Sequence, residues 1–166
     1  VGLLFAPDFL GRAYSKHNPY TAEAATDVEI CTFPNAAFER LVGEYPELQQ
    51  RLFQHTLDEL DAARDWMLLL GRKTAEEKVA SFLYMLARRS MLNGCVHKAS
   101  TGSAAFELPL TRSDIADYLG LTIETVSRQL TRLKTSNVVR LSTNRLIMVP
   151  DLQRLAQSAG QDGHRH

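Results

Sequence analysis

Glu124, Ser127 and Arg128 stand within the stretch TRSDIADYLGLTIETVSRQLTRLK, residues 111–134. An arginine guanidinium offers two parallel N–H donors, which match the N7 and O6 acceptors of a guanine edge. A glutamate carboxylate accepts from a cytosine amino group, and a serine hydroxyl allows close approach while donating or accepting. On a helix, Glu124 and Arg128 are i,i+4 neighbours. That spacing equally suits a surface ion pair worth about a few tenths of a kcal/mol, so these two residues alone leave both readings open. No nucleophile or paired acid and base stands here for catalysis. His17, His55 and His97 are isolated, and His164 and His166 lie in the tail. We read no enzyme.

The elements around these groups must aim them. Thr111 is a good N-cap, with Asp114 three residues on completing a capping-box variant. Ile115 and Leu119 supply an apolar face. Gly120 accepts a positive φ that other residues resist, which lets the chain turn sharply before Thr122 caps a second helix. Val126, Leu130 and Leu133 follow at spacings of 4 and 3 and face inward. Glu124, Thr125, Ser127, Arg128 and Thr131 are left outward. The arrangement is a helix-turn-helix. FELPL before it reads as a strand, and VVRL and LIMV, flanking the polar STNR, read as a hairpin. Together they make it a winged helix. Phosphate contacts are expected at the helix starts and the basic rim: Thr111, Arg112 and Ser113, then Thr122, then Arg132 and Lys134.

The rest of the chain reads as support. Thr74 begins a helix with Glu77 in a second capping box, and Val79, Phe82, Leu83, Leu86 and Leu92 form its stripe. Upstream, a short helix over 35–42 is expected to end at Gly43. Pro46 then opens a helix reaching about Arg72, some 40 Å long at 1.5 Å per residue. Phe53, Thr56, Leu60, Ala63, Met67 and Leu70 follow alternating steps of three and four along it, a seam for a second copy of the chain. Asp58, Asp61 and Asp65 lie near that seam. A second line, Leu52, Leu57 and Leu69, needs a partner of its own. In residues 1–34, VGLLF and DVEICTF read as strands. The chain opens on valine in mid-run, which suggests a piece of a longer protein. PDLQRLAQSAG reads as a last short helix.

Composition sets the frame. The 166 residues carry 19 basic and 19 acidic side chains, so no global field announces a polyanion. The charge is nevertheless placed unevenly. Residues 122–145 hold five basic side chains against Glu124 alone, whereas residues 46–65 hold five acids against Arg51 and Arg64. Two cysteines, Cys31 and Cys95, make no disulfide scaffold and suit a reduced, cytoplasmic setting. No apolar run is long enough for a membrane helix.

LGLTIETVSRQL resembles the recognition motif of the CRP/FNR transcription regulators, in the FNR/FixK branch, whose E-x-x-S-R falls on Glu124, Ser127 and Arg128. DWMLLLGRKTAEEKVASFL is similar to the junction between dimer helix and DNA-binding domain in that branch. The resemblance implies a mainly α fold with small β. Residues 1–34 would be the end of a β-roll sensor, 35–73 a short helix plus the dimerisation helix, and 74–166 the winged-helix domain. It implies a homodimer on double-stranded palindromic DNA of the type TTGAT…ATCAA, with RNA polymerase as a further partner. In EICTFP, Cys31 matches the fourth ligand position of a [4Fe–4S] cluster that senses oxygen in the intact protein. Cys95 has no ligand spacing. The alternatives are a cluster-free FixK-like regulator, or a winged helix that docks on protein and binds no DNA.

Overall fold

The structure is a computed structural model, and it describes residues 2–15, 17–92, 102–142 and 145–161. The expected readings of Cys95, His97, the loop around them, the STNR turn tip and the tail histidines lie outside these residues. The chain divides into two compact units, Val1–Met67 and Leu68–His166. The dividing point falls inside a helix, whereas the sequence had suggested divisions after residues 34 and 73.

In the first unit, α1 is Asn35–Glu44. It runs through Gly43 rather than stopping there and ends at extended Tyr45, just before a proline. α2, Pro46–Arg72, begins at that proline and has 27 residues. The strands expected in VGLLF and DVEICTF are absent: described residues up to 34 hold turns and irregular backbone. An extended segment needs a neighbour for its N–H and C=O groups, and none pairs with these. The segment is pinned by side chains instead. Phe9 stacks on Phe38 with centroids 5.2 Å apart, and the Asn35 amide donates to the Ser15 carbonyl at 2.9 Å. Val28, Ile30 and Phe33 are exposed.

The second unit is a winged helix. α3 (Ala75–Leu92), β1 (Ala104–Glu107), α4 (Arg112–Leu119), α5 (Ile123–Thr135), β2 (Arg140–Leu141), β3 (Leu146–Val149) and α6 (Leu152–Ser158) follow one another. The sheet is antiparallel in the order β1-β3-β2, with Ala104 opposite Val149 and Arg140 opposite Met148. Strand β1 starts two residues before FELPL. α3 packs against α6, β1 and α5, and α4 packs against α5. Val79, Phe82, Leu83 and Leu86 from α3 are buried with Ile115, Leu119, Val126, Leu130 and Leu133. Ile147, Val149 and Leu155 close the core from the sheet and α6.

Three polar bridges fasten this core. Lys73 donates to the Ala159 carbonyl at 2.7 Å and to the Ser81 hydroxyl at 2.8 Å, tying the end of α6 to the start of the unit. Thr74 and Glu77 form the expected box, with the Thr74 N–H and hydroxyl donating to Glu77 Oε2 at 2.8 and 2.7 Å. Arg154 of α6 donates to the Ser136 carbonyl at 2.9 Å, at the end of α5.

Candidate nucleic-acid interface

The turn between α4 and α5 takes its shape from local rules. The Thr111 hydroxyl accepts from the Asp114 N–H at 3.2 Å, and the Thr111 N–H donates back to the Asp114 carboxylate at 2.9 Å. Donation by the Thr111 hydroxyl and N–H holds the Asp114 carboxyl below the ordinary aspartate range. At the other end of α4, Gly120 is left-handed, with φ 61° and ψ 45°. Thr122 then caps α5 by accepting from the Thr125 N–H at 3.2 Å. α5 ends in a Schellman arrangement. The Val138 N–H donates to the Leu133 carbonyl at 3.0 Å, and Asn137 adopts φ 57°.

With both ends fixed and Val126, Leu130 and Leu133 buried, the outer face of α5 cannot rotate. Glu124 and Arg128 are exposed on it, and Ser127 is half-buried. Among the described residues no ion pair joins Glu124 to Arg128. The nearby Glu124 N–H and then the Thr122 hydroxyl favour the charged carboxylate and lower the Glu124 pKa. At the first turn the helix dipole favours the same charged state. Arg128 is left with its donor fork exposed to solvent.

The expected phosphate-contacting residues divide. Arg112 is half-buried, and Ser113 and Lys134 are exposed. The hydroxyls of Thr111 and Thr122 are engaged within their own helix starts: Thr111 donates to Asp114 at 2.6 Å, and Thr122 lies 3.0 Å from the Thr125 hydroxyl. Arg132 has a partner that sequence reasoning missed, the Glu76 carboxylate of α3 at 3.2 Å. No local signal could have found that pair, because it joins two helices distant in sequence. Gln129 was also missed. It is only 6% exposed, and its Oε1 has no hydrogen-bond partner among the described residues. Tyr118 packs edge-on against Phe82 at 5.7 Å, and burial pushes its phenol up to about 12.

On α2, Phe53, Thr56, Leu60, Ala63, Met67 and Leu70 are all exposed. For Phe53 and Met67 the exposed fractions are 64% and 65%, so this stripe finds no cover among the described residues. Of the second line, Leu69 is buried, Leu52 half-buried and Leu57 exposed. Cys31 is a free, exposed thiol. Among the described residues no three His, Cys, Asp or Glu side chains gather to hold a metal ion. A [4Fe–4S] cluster takes four thiolates, so these residues do not hold one by themselves. Among the described residues, no helix is long and apolar enough to cross a membrane.

A capped, glycine-turned helix pair backed by a three-stranded sheet defines a winged helix-turn-helix domain. Residues 77–158 match the Crp-like helix-turn-helix domain. The chain belongs to the CRP/FNR family, in its FNR/FixK branch. It is 54% identical over 93% of its length to a Rhizobium leguminosarum bv. viciae protein described as "Probable transcriptional activator", covering 62% of that protein. It is 49% identical over 98% of its length to the transcriptional activator protein FnrL of Cereibacter sphaeroides, covering 64% of it. The solved structure of FixK2 from Bradyrhizobium japonicum overlays with a TM-score of 0.63 at 39% identity, over 80% of this chain and 60% of that one. The chain thus spans less than two thirds of the length of these relatives.

Proposed function

We propose that this chain carries the dimerising and DNA-reading parts of a cytoplasmic transcription activator. Two copies join along the exposed α2 stripe. Their α5 helices then enter successive major grooves of a TTGAT-type palindrome, about 34 Å apart. Arg128 takes the guanine, Glu124 the paired cytosine or its neighbour, and Ser127 stands close to the base edges. Arg112, Ser113 and Lys134 meet phosphates. RNA polymerase is the downstream partner. The observation that carries this reading is the exposed Arg128 fork, unpaired among the described residues, on a helix immobilised by its caps and buried face. The names of the relatives support it.

Fluorescence anisotropy of the purified chain on palindromic and random duplexes tests it. Arg128→Ala should cost about 1–3 kcal/mol per half-site on the palindrome and leave random DNA nearly untouched. An equal loss on both duplexes sinks base reading by Arg128. No salt-dependent binding to either duplex would favour a protein-docking module instead.

The response to oxygen is a second layer of the proposal. It rests on the resemblance around EICTFP and on the accessible thiol of Cys31. In the longer protein Cys31 supplies one thiolate of a [4Fe–4S] cluster. Anaerobically purified longer protein should then show a visible absorption band that Cys31→Ser removes. A colourless protein that still binds the palindrome is the cluster-free, FixK-like alternative.

A further inference from the structure

We propose that Glu76 is an internal competitor for DNA phosphate at Arg132, and that it damps the part of binding that ignores sequence. This rests on the reading of α5 as the helix that faces DNA.

Arg132 follows Arg128 by one turn on α5, in line to reach the backbone beside the base that Arg128 reads. Its guanidinium Nη1 instead lies 3.2 Å from Glu76 Oε2. Glu76 stands in the first turn of α3, where the helix dipole favours a carboxylate. It is free for this task because its neighbour Glu77 does the capping, through Thr74. Its position is firm because α3 packs directly on α5, with Val79 and Leu83 buried in the same core as Val126 and Leu130.

The pair is also exchangeable. The side chains of Arg132 and Glu76 are 64% and 38% exposed, so this is a solvated contact rather than a buried strut. The contact runs from one guanidinium nitrogen to one carboxylate oxygen, and a phosphate oxygen could take that oxygen's place. While Glu76 holds Arg132, the domain forgoes one phosphate contact per protomer, and attachment leans more heavily on Arg128.

The test compares Glu76→Gln, Arg132→Ala and the double variant with the parent chain, by anisotropy on palindromic and random duplexes across a salt series. Glu76→Gln should tighten both duplexes about two- to five-fold per bound protomer, the worth of a solvated ion pair. It should also steepen the salt dependence by about one per protomer, the signature of an added phosphate contact. The ratio between the two duplexes should stay as it was. In the Arg132→Ala background the gain should vanish. An inert Glu76→Gln in a parent that binds the palindrome overturns this proposal alone. A gain that persists without Arg132 also overturns it, since Glu76 would then act by repelling DNA through space. A parent that binds neither duplex overturns the DNA reading itself. Both side chains are solvated, so neither substitution opens the core, and matching thermal midpoints will confirm this.

Discussion

Gly120 and Gly160 share a backbone conformation but not a neighbourhood, and replacing each by alanine separates strain from collision. Gly120 has φ +61°, and a Cβ built there meets nothing within 4 Å. Gly120→Ala therefore carries only the left-handed penalty, about 1–2 kcal/mol. For a unit of this size that lowers the melting temperature by about 4–8 °C per kcal/mol. Gly160 has φ +65°, and its Cβ would stand 2.8 Å from Glu77 Oε1. A free glutamate end would swing aside at little cost. This one is tethered, because its other oxygen holds the Thr74 N–H and hydroxyl. Gly160→Ala must therefore loosen the cap of α3 as well, adding about 0.5–2 kcal/mol. Thermal unfolding followed by far-UV circular dichroism should rank Gly160→Ala below Gly120→Ala. In a Glu77→Ala background the obstacle and its hydrogen bonds from Thr74 are both gone, and Gly160→Ala should fall back to the cost of Gly120→Ala. Equal losses at the two glycines, or a Gly160→Ala penalty indifferent to Glu77→Ala, would refute the reasoning.

The capping boxes imply acid sensitivity. Hydrogen bonds from Thr111 and Thr74 hold Asp114 and Glu77 below their ordinary 3.8 and 4.5. The unfolded chain therefore takes up protons first as pH falls. This stabilisation is whole above the ordinary values and is lost as pH drops through the lower folded ones. The urea midpoint should decline over that window, and should decline less in an Asp114→Asn, Glu77→Gln variant, whose caps no longer titrate. At the α2 stripe, Leu60→Asp should shift sedimentation toward monomer and weaken palindrome binding while leaving the folded content of the second unit unchanged. An unaltered sedimentation coefficient would remove the stripe from the interface.

What could be read in advance followed the range of the force involved. The caps at Thr74, Thr111 and Thr122, the turn at Gly120 and the stripes Val79–Phe82–Leu83 and Val126–Leu130–Leu133 depend on residues within one or two helical turns. They stand as the sequence suggested. The hairpin was legible for the same reason. The segment before α1 was not, because alternation in VEICTF marks a strand only where another backbone receives it. Gly43 misled because a glycine can remain helical when the stop is supplied two residues later by Tyr45 and Pro46. The Glu76–Arg132 pair and the Lys73 bridge to Ala159 depend on where separate helices come to rest. Burial of Gln129 likewise reflects packing, since glutamine at that helical position is compatible with either face.

The lysine bridge sets how this unit bears mechanical load. Lys73 stands at its entrance and Ala159 near the last described turn, so one ammonium spans the points where a pull along the chain would enter and leave. Tension applied between those points meets that clasp first and reaches the helices behind it only after it gives. Two points so close also suit a rearranged gene in which a short linker joins them and new ends are opened elsewhere. Lys73→Met should leave such a rearranged protein nearly as stable as its parent, because the covalent link replaces the clasp, while weakening the natural order of the chain.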